Sequence, residues 1–112
     1  MPPSGDVQQD VSVDTVYVLR SCSEAQPDFV VGGNEAGMLL GNETRGADAA
    51  VWLTADAGKR TGKFRRVPPV LAVEVAGEDE GEEELRAKAS WYHEHGVALV
   101  WIVLPESFHA IV

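Results

Sequence analysis

The sequence predicts a small α/β domain built on a mixed β-sheet. Residues 70–77, VLAVEVAG, and residues 97–104, VALVWIVL, are almost entirely apolar, which is typical of strands covered on both faces. Between them, residues 80–95 have the pattern of a helix, so the two strands form a βαβ unit and should be parallel. The short PES turn then predicts an antiparallel edge strand over residues 108–112, FHAIV.

The predicted helix at 80–95 has clear start and stop signals. Acidic residues crowd its first turn, where they complement the helix dipole, and Gly96 follows as a C-terminal stop. A helical wheel places Lys88 on the apolar face with Leu85, Ala89, Trp91 and Tyr92. Either the lysine stem lies on the core while its ammonium reaches water, or the ammonium points into a functional site.

The first half of the chain has weaker signals. Residues 47–53, ADAAVWL, are a strand candidate, and residues 15–20, TVYVLR, predict a short strand. The glycine-rich stretch after Pro27 suggests a hairpin that pairs Val30–Val31 with Met38–Leu40.

A chain of 112 residues is long enough for one domain. We place it at residues 15–112, after a flexible polar tail at 1–14. No apolar run approaches the roughly 18 residues that span a bilayer, and the first residues lack the basic and apolar regions of a secretory signal. The single cysteine, Cys22, excludes an internal disulfide. These features predict a cytoplasmic protein that is not associated with a membrane.

The charge is unevenly distributed. The net charge of −9 is unlike that of a dedicated nucleic-acid binder, yet the basic residues concentrate in one stretch: Lys59, Arg60, Lys63, Arg65 and Arg66. The default interpretation of this stretch is a solvated loop. The alternative is a set of non-specific contacts to a DNA backbone beside the strand that carries Glu74. The acidic run at 78–84 is interpreted as solvated surface, with Asp79 as a candidate third carboxylate at a site.

Glu74 and Asp48 are the most informative acidic residues. Glu74 lies inside a predicted central strand, where a carboxylate is costly unless it is paired or bound to a cation. Its non-functional interpretation is a strand-end residue facing water or an arginine, and that of Asp48 is a turn or cap residue. With Lys88 they would form a chemical unit. Two carboxylates can hold Mg²⁺ or Mn²⁺, the metal activates water and polarises a phosphodiester, and a lysine offsets transition-state charge.

Several segments occur in a characteristic order: R45-G-A-D48, P68-P-V-L-A-V-E74-V, K88-A-S-W-Y92, G96-V97 and V100-W101-I-V-L-P105. From about Gly37 to the C-terminus, this order resembles the restriction-endonuclease-like family of the PD-(D/E)XK nuclease superfamily. The resemblance implies a mixed β-sheet with flanking helices and a metal site at one edge of the sheet. It also implies a divalent-metal-dependent endonuclease that hydrolyses DNA.

The resemblance assigns roles to four residues. Asp48 and Glu74 would be the ligands of Mg²⁺ or Mn²⁺. Ala76 stands where many such enzymes have a lysine, and the helix residue Lys88 would take its place. Tyr92, one turn further along the helix, would support Lys88.

The sequence departs from the family pattern in three places. The turn A76-G-E-D-E replaces the usual Ser-Pro-Ser, which would weaken phosphate binding or add a metal ligand, and L104-P105 replaces an Asp-Pro. The first 36 residues do not show the helix with which family members begin, so the fold is expected to be shortened at its N-terminus. Glu35 and Glu43 are the candidate substitutes for an acidic residue of that helix.

Two alternatives to an active nuclease follow from these departures. One is a non-catalytic, nuclease-like interaction domain with a degenerate site, which the net charge and the acidic turn favour. The other is a homo-oligomerising fragment that another chain completes. A homodimer is also predicted on burial, because one helix covers one face of the sheet and the edge strand 108–112 carries no protecting charge.

Overall fold

The fold is described by a computed structural model for residues 5–24, 28–57, 62–77, 79–104 and 109–111, with the backbone alone described at 34, 35 and 109–111. The helices and strands in chain order are α1 (Asp6–Glu24), β1 (Phe29–Leu40), β2 (Glu43–Leu53), α2 (Thr54–Ala57), β3 (Leu71–Val75), α3 (Glu82–Glu94), β4 (Leu99–Leu104) and β5 (His109–Ile111). Within these described residues, five strands form one sheet in the order β1-β2-β3-β4-β5.

The second half of the chain folds as its apolar runs predict. Strands β3 and β4 are parallel, with Leu71 paired to Leu99 and Val75 to Val103, and α3 connects them. Every residue of β3 is buried. Gly96 ends α3 with a φ of 93°, which a residue with a side chain rarely adopts. Strand β5 is antiparallel to β4. The predicted mixed α/β sheet is confirmed.

Strands β1 and β2 form one long antiparallel hairpin. The turn is at Gly41 and Asn42, because Leu40 pairs with Glu43, and Gly41 has a φ of 62°. The predicted hairpin within residues 30–40 is therefore wrong, since all of them belong to β1. The glycines of β1 lie where other side chains pack closely against the strand, and they do not form a turn. A methyl group at Gly33 would lie 2.7 Å from a methyl carbon of Val16.

The N-terminal segment is helical where the sequence indicated a tail and a short strand. Residues 15–20 lie within α1, so the strand prediction is wrong, and residues 6–14 belong to the same helix. The β-branched residues of TVYVLR favour a strand locally, but Val16 and Leu19 pack on the sheet as one helical stripe. An N-terminal helix is thus present where the sequence predicted none. No helix in the described ranges is long and apolar enough to cross a membrane.

Two apolar layers lie on opposite faces of the sheet. The larger layer packs under α3 and contains Met38, Trp52 and Tyr92 among its most buried side chains. The smaller layer includes Val51 and Val73 and is partly covered by α1. The expectation that one face lacks a helix is wrong for this reason. Polar side chains, including Asp48 and Glu74, lie at the end of the sheet where the pairing between β2 and β3 stops.

Candidate active site

A β-bulge positions Asp48 at the point where β2 and β3 separate. The register between β1 and β2 shifts between Gly33 and Ala36, which places residues 34–35 opposite Asp48. Such bulges redirect side chains and often lie beside functional sites. The ladder between β2 and β3 ends at the pair of Ala49 and Val73. Beyond it, Asp48 Oδ2 accepts a 2.7 Å hydrogen bond from the Val75 backbone N–H, so the carboxylate lies next to Glu74.

Glu74 is the buried charged residue of the core, with 8% of its surface exposed. Its Oε1 accepts a 2.6 Å hydrogen bond from the Tyr92 hydroxyl of α3. Burial raises the pKa of Glu74 to about 7, the Tyr92 hydrogen bond opposes that shift, and the negative charge of Asp48 adds to it. Glu74 does lie near the end of β3, but its side chain is buried against Tyr92 in the layer under α3, instead of facing water as the non-functional interpretation predicts. We predict that the carboxylates of Asp48 and Glu74 lie about 4–6 Å apart, close enough to share one metal ion.

Tyr92 donates its hydroxyl hydrogen bond to Glu74. Its ring is fully buried, and both burial and the charge of Glu74 raise the pKa of its hydroxyl. The hydroxyl therefore stays protonated and acts as a fixed donor. Where the resemblance implied support for Lys88, the structure shows Tyr92 orienting the carboxylate of Glu74.

Lys88 forms an ion pair beside the two carboxylates. Its Nζ lies 2.7 Å from Glu80 Oε2, and both side chains are about a quarter exposed, at 27% and 22%. Burial lowers the pKa of Lys88, but the hydrogen bond to Glu80 and the charge of Glu74 outweigh that effect and raise it. Lys88 is thus a charged group held at the site, which agrees with its position in the apolar stripe of α3.

Glu80 is the site residue that sequence analysis missed. The pattern of the acidic run 78–84 predicts solvated surface, and Asp79 is exposed, but Glu80 Oε1 also accepts a 3.0 Å hydrogen bond from the Gly77 N–H. Burial raises the pKa of Glu80, while the hydrogen bonds from Lys88 and Gly77 outweigh it and leave the pKa lowered. The signal in the sequence was the replacement of Ser-Pro-Ser by an acidic turn directly after β3.

Helix α1 also contributes a polar side chain at this end of the sheet. Gln8 Nε2 donates a 2.8 Å hydrogen bond to the Val75 carbonyl, and a Cβ at Gly77 would lie 3.4 Å from Gln8 Oε1 and 3.5 Å from Glu80 Oε1. Family resemblance suggested an acidic residue from an N-terminal helix. The structure places a neutral amide from α1 there.

Arg45 lies on the α3 side, near the site. Its guanidinium is 4.7 Å from the centre of the Trp91 ring, and its charge opposes the raised pKa of Tyr92. Glu43 accepts a hydrogen bond from the Trp91 indole N–H and lies 3.2 Å from His95 Nε2. Glu43 therefore belongs to this aromatic cluster and not to the carboxylate pair, while the side chain of Glu35 lies outside the described part of the structure.

The described part of the basic stretch is hydrogen-bonded to the edge of β1 at Arg65. Lys59 and Arg60 lie outside the described residues, whereas Lys63 and Arg66 are exposed. The Arg65 guanidinium is 5.1 Å from the centre of the Trp52 ring and donates to the Ala57 carbonyl. The Arg65 carbonyl accepts a hydrogen bond from Leu39. This segment therefore follows the edge of β1, with β2 between it and the strand that carries Glu74.

The carboxylate pair fits a hard divalent cation. No group of three or more His, Cys, Asp or Glu side chains in the described ranges is arranged to hold a metal. Mg²⁺, however, is commonly bound by one or two carboxylates, with water and substrate phosphate as its other ligands. A cation beside Asp48 and Glu74 would offset both the burial of Glu74 and the repulsion between the two charges.

Comparisons with known proteins identify the family and the fold. The model of the Uma2 family, described as "Putative restriction endonuclease", matches residues 1–109. A crystal structure from Anabaena variabilis, described as a "putative nuclease belonging to DUF820", has the same fold with a TM-score of 0.76 and 14% sequence identity. The match covers 91% of this chain and 59% of that one, so this chain spans about three fifths of its length. No curated protein matches. Because the family model covers nearly the whole sequence, the chain belongs to the Uma2 family of restriction-endonuclease-like proteins.

Proposed function

We propose that the protein is a divalent-metal-dependent nuclease that hydrolyses phosphodiester bonds of DNA. The observation that carries the proposal is the meeting of Asp48 and Glu74 at the separated ends of β2 and β3, with the charged Lys88 beside them. The family and the shared fold favour a nuclease in general terms. The metal and the substrate follow from the chemistry of these side chains.

Each residue has a distinct task in this proposal. Asp48 and Glu74 would hold Mg²⁺ or Mn²⁺, which activates water and polarises the scissile phosphodiester. The Val75 N–H orients Asp48, and the Tyr92 hydroxyl orients Glu74. Lys88 would donate to a phosphate oxygen and offset the negative charge that develops during hydrolysis.

DNA would be held mainly through its backbone. The exposed side chains of Lys63 and Arg66 support this proposal, and we assign Lys59, Arg60 and Arg65 to the same non-specific surface. With a net charge of −9, we expect weak binding that falls steeply with salt. A DNA substrate would agree with the cytoplasmic location that the sequence predicts, where the exposed thiol of Cys22 would stay reduced.

A cleavage assay tests the proposal. We expect supercoiled plasmid to be nicked in Mg²⁺ or Mn²⁺ but not in EDTA, and Asp48→Asn and Glu74→Gln to lower the rate by about a hundredfold or more, because each removes a ligand charge. Glu83→Gln, an exposed residue of α3, is the matched control for the loss of one negative charge. Cleavage that survives both ligand substitutions would come from another site or a contaminant, and would refute the assignment.

The Lys88–Glu80 ion pair supports a second candidate function. A lysine already neutralised by a carboxylate is less able to bind phosphate, as expected for a non-catalytic nuclease-like module. That module would bind DNA or a protein partner with no metal-dependent cleavage. Saturable DNA binding that is indifferent to Asp48→Asn, in a protein that never cleaves DNA, would favour this alternative.

A further inference from the structure

Two donors beside the carboxylate pair converge on one side chain of the protein itself. The Gly77 backbone N–H donates to Glu80 Oε1 over 3.0 Å, and Lys88 Nζ donates to Glu80 Oε2 over 2.7 Å. Gly77 follows the end of β3, and Lys88 projects from α3. The two donors therefore come from the two elements that carry Glu74 and Tyr92.

A backbone N–H and an ammonium group are the donors with which proteins bind a phosphoryl group. A carboxylate presents two oxygens on one carbon, and a phosphate presents oxygens on one phosphorus with similar spacing. The charge of Glu80 also acts on Glu74, so the anion lies close to the proposed metal ligands. Glu80 thus occupies a place suited to a phosphate of the substrate.

We propose that the Gly77 N–H and Lys88 Nζ form a binding site for a phosphate group of the substrate, which the Glu80 carboxylate fills until substrate displaces it. This inference deepens the proposed nuclease function and rests on it for the identity of the ligand. It assigns Gly77 and Glu80 to substrate binding in addition to Lys88.

The turn is built so that the carboxylate can leave without unfolding. The Glu80 N–H donates to the Gly77 carbonyl over 3.2 Å, and this backbone bond closes the turn independently of the side chain. The Glu80 side chain is already 22% exposed, so its carboxylate borders solvent. It can therefore turn toward water while the Gly77 N–H stays in place.

Binding of DNA with Ca²⁺ in place of Mg²⁺ measures the competition directly. We expect Glu80→Gln to lower the Kd for a fluorescein-labelled duplex about tenfold, because it removes a charged competitor. Glu83→Gln changes the net charge equally and should change the Kd less than about twofold. Adding Lys88→Met to Glu80→Gln should abolish the gain. Equal effects of Glu80→Gln and Glu83→Gln, or weaker binding by Glu80→Gln, would overturn the inference.

A second measurement needs no DNA. We expect acylation of Lys88 by an N-hydroxysuccinimide ester, measured by mass spectrometry, to be several-fold faster in Glu80→Gln than in the parent chain. Loss of the Glu80 charge lowers the pKa of Lys88 and leaves more of it as the reactive free amine. Millimolar inorganic phosphate should protect Lys88 in that variant. Circular dichroism checks that the variant is folded. Protection by phosphate in a protein that binds no DNA would support the anion site and refute the nuclease. Unchanged labelling without protection would refute the site itself.

Discussion

Glu74 combines features that are costly in a sheet and useful in an active site. It is buried in β3, it accepts a hydrogen bond from Tyr92, and it lies beside the negative charge of Asp48. Burial dominates the shift of its pKa to about 7. The residue is therefore held near the point where it gains or loses a proton at physiological pH, and a cation would favour the charged form.

The first prediction concerns pH and stability. Glu74 has a pKa of about 7 in the folded protein, compared with an ordinary value of 4.5, so the folded state binds more protons than the unfolded state between these two pH values. Its stabilising contribution is fully present below pH 4.5 and is lost as the pH rises through 7, a loss on the order of 3 kcal/mol.

Urea unfolding at pH 5 and pH 8 should show this difference in the free energy of unfolding. Glu74→Gln should lack it, whereas Asp79→Asn, at an exposed position, should retain it. Parallel pH curves for the parent chain and Glu74→Gln would contradict the burial argument.

The second prediction concerns metal and stability. Mg²⁺ or Mn²⁺ should raise the Tm of the parent chain, because binding at a hundredfold excess over Kd stabilises a protein by about 2.7 kcal/mol. Asp48→Asn and Glu74→Gln should lose the response in differential scanning fluorimetry. If both variants keep it and charge removal from residues 79–84 abolishes it, the cation binds at the acidic turn instead.

At the scale of elements, α1 is the helix that the local sequence pattern of residues 6–24 did not predict. It has no fully buried residue, and its contact with the sheet depends on the absence of a side chain at Gly33. Val16 fills that space, with its Cγ2 2.7 Å from where a Cβ would be. Gln8 then reaches the Val75 carbonyl at the site. The docking of α1 therefore links a strand glycine to the geometry around Glu74.

The third prediction tests this docking. Gly33→Ala should destabilise the protein by about 1–3 kcal/mol, because the new methyl group forces Val16 and α1 away from β1. Thermal unfolding measures the loss, and hydrogen exchange should show faster exchange along α1. Gly81→Ala is the control, since a Cβ there meets nothing within 4 Å and its φ is −83°. Gly33→Ala combined with Val16→Ala should recover part of the loss. A neutral Gly33→Ala would mean that α1 packs elsewhere.

At the scale of the whole molecule, apolar surface remains exposed although α1 and α3 cover opposite faces of the sheet. Val13 and Tyr17 lie one turn apart on the outer side of α1 and are 68% and 73% exposed, and Leu99 at the start of β4 is half exposed. Exposed apolar side chains are common at protein interfaces. The homodimer therefore stays a proposal, with the outer side of α1 as its interface in place of an uncovered sheet face.

The fourth prediction is the oligomeric state. We expect light scattering behind size exclusion to give about twice the 12.1 kDa monomer mass at micromolar concentration. Tyr17→Glu should shift the protein toward the monomer by introducing a charge into the proposed interface. A mass of one chain in the parent protein would refute the homodimer.

The sequence alone determined the second half of the fold, β3, α3 and β4, because apolar runs and helical periodicity predict the same elements there. The apolar runs at β3 and β4 could only be central strands, and the stripe on α3 already placed Lys88 beside apolar residues. The pairing of these elements was predictable because a crossover helix requires parallel strands. The sequence also indicated Asp48 and Glu74 as candidate site residues, because each is a carboxylate within an otherwise apolar strand.

Only the tertiary structure decided the remaining features. The helix at residues 15–20 overrides a local β preference through its contact with Gly33, and the bulge in β1 opposite Asp48 depends on pairing between distant residues. The partners of Glu80 and Tyr92 likewise come from other elements. Hydrophobic periodicity reports which residues are buried, but which polar groups meet depends on strand register and helix docking, and these are set by contacts between segments far apart in the chain.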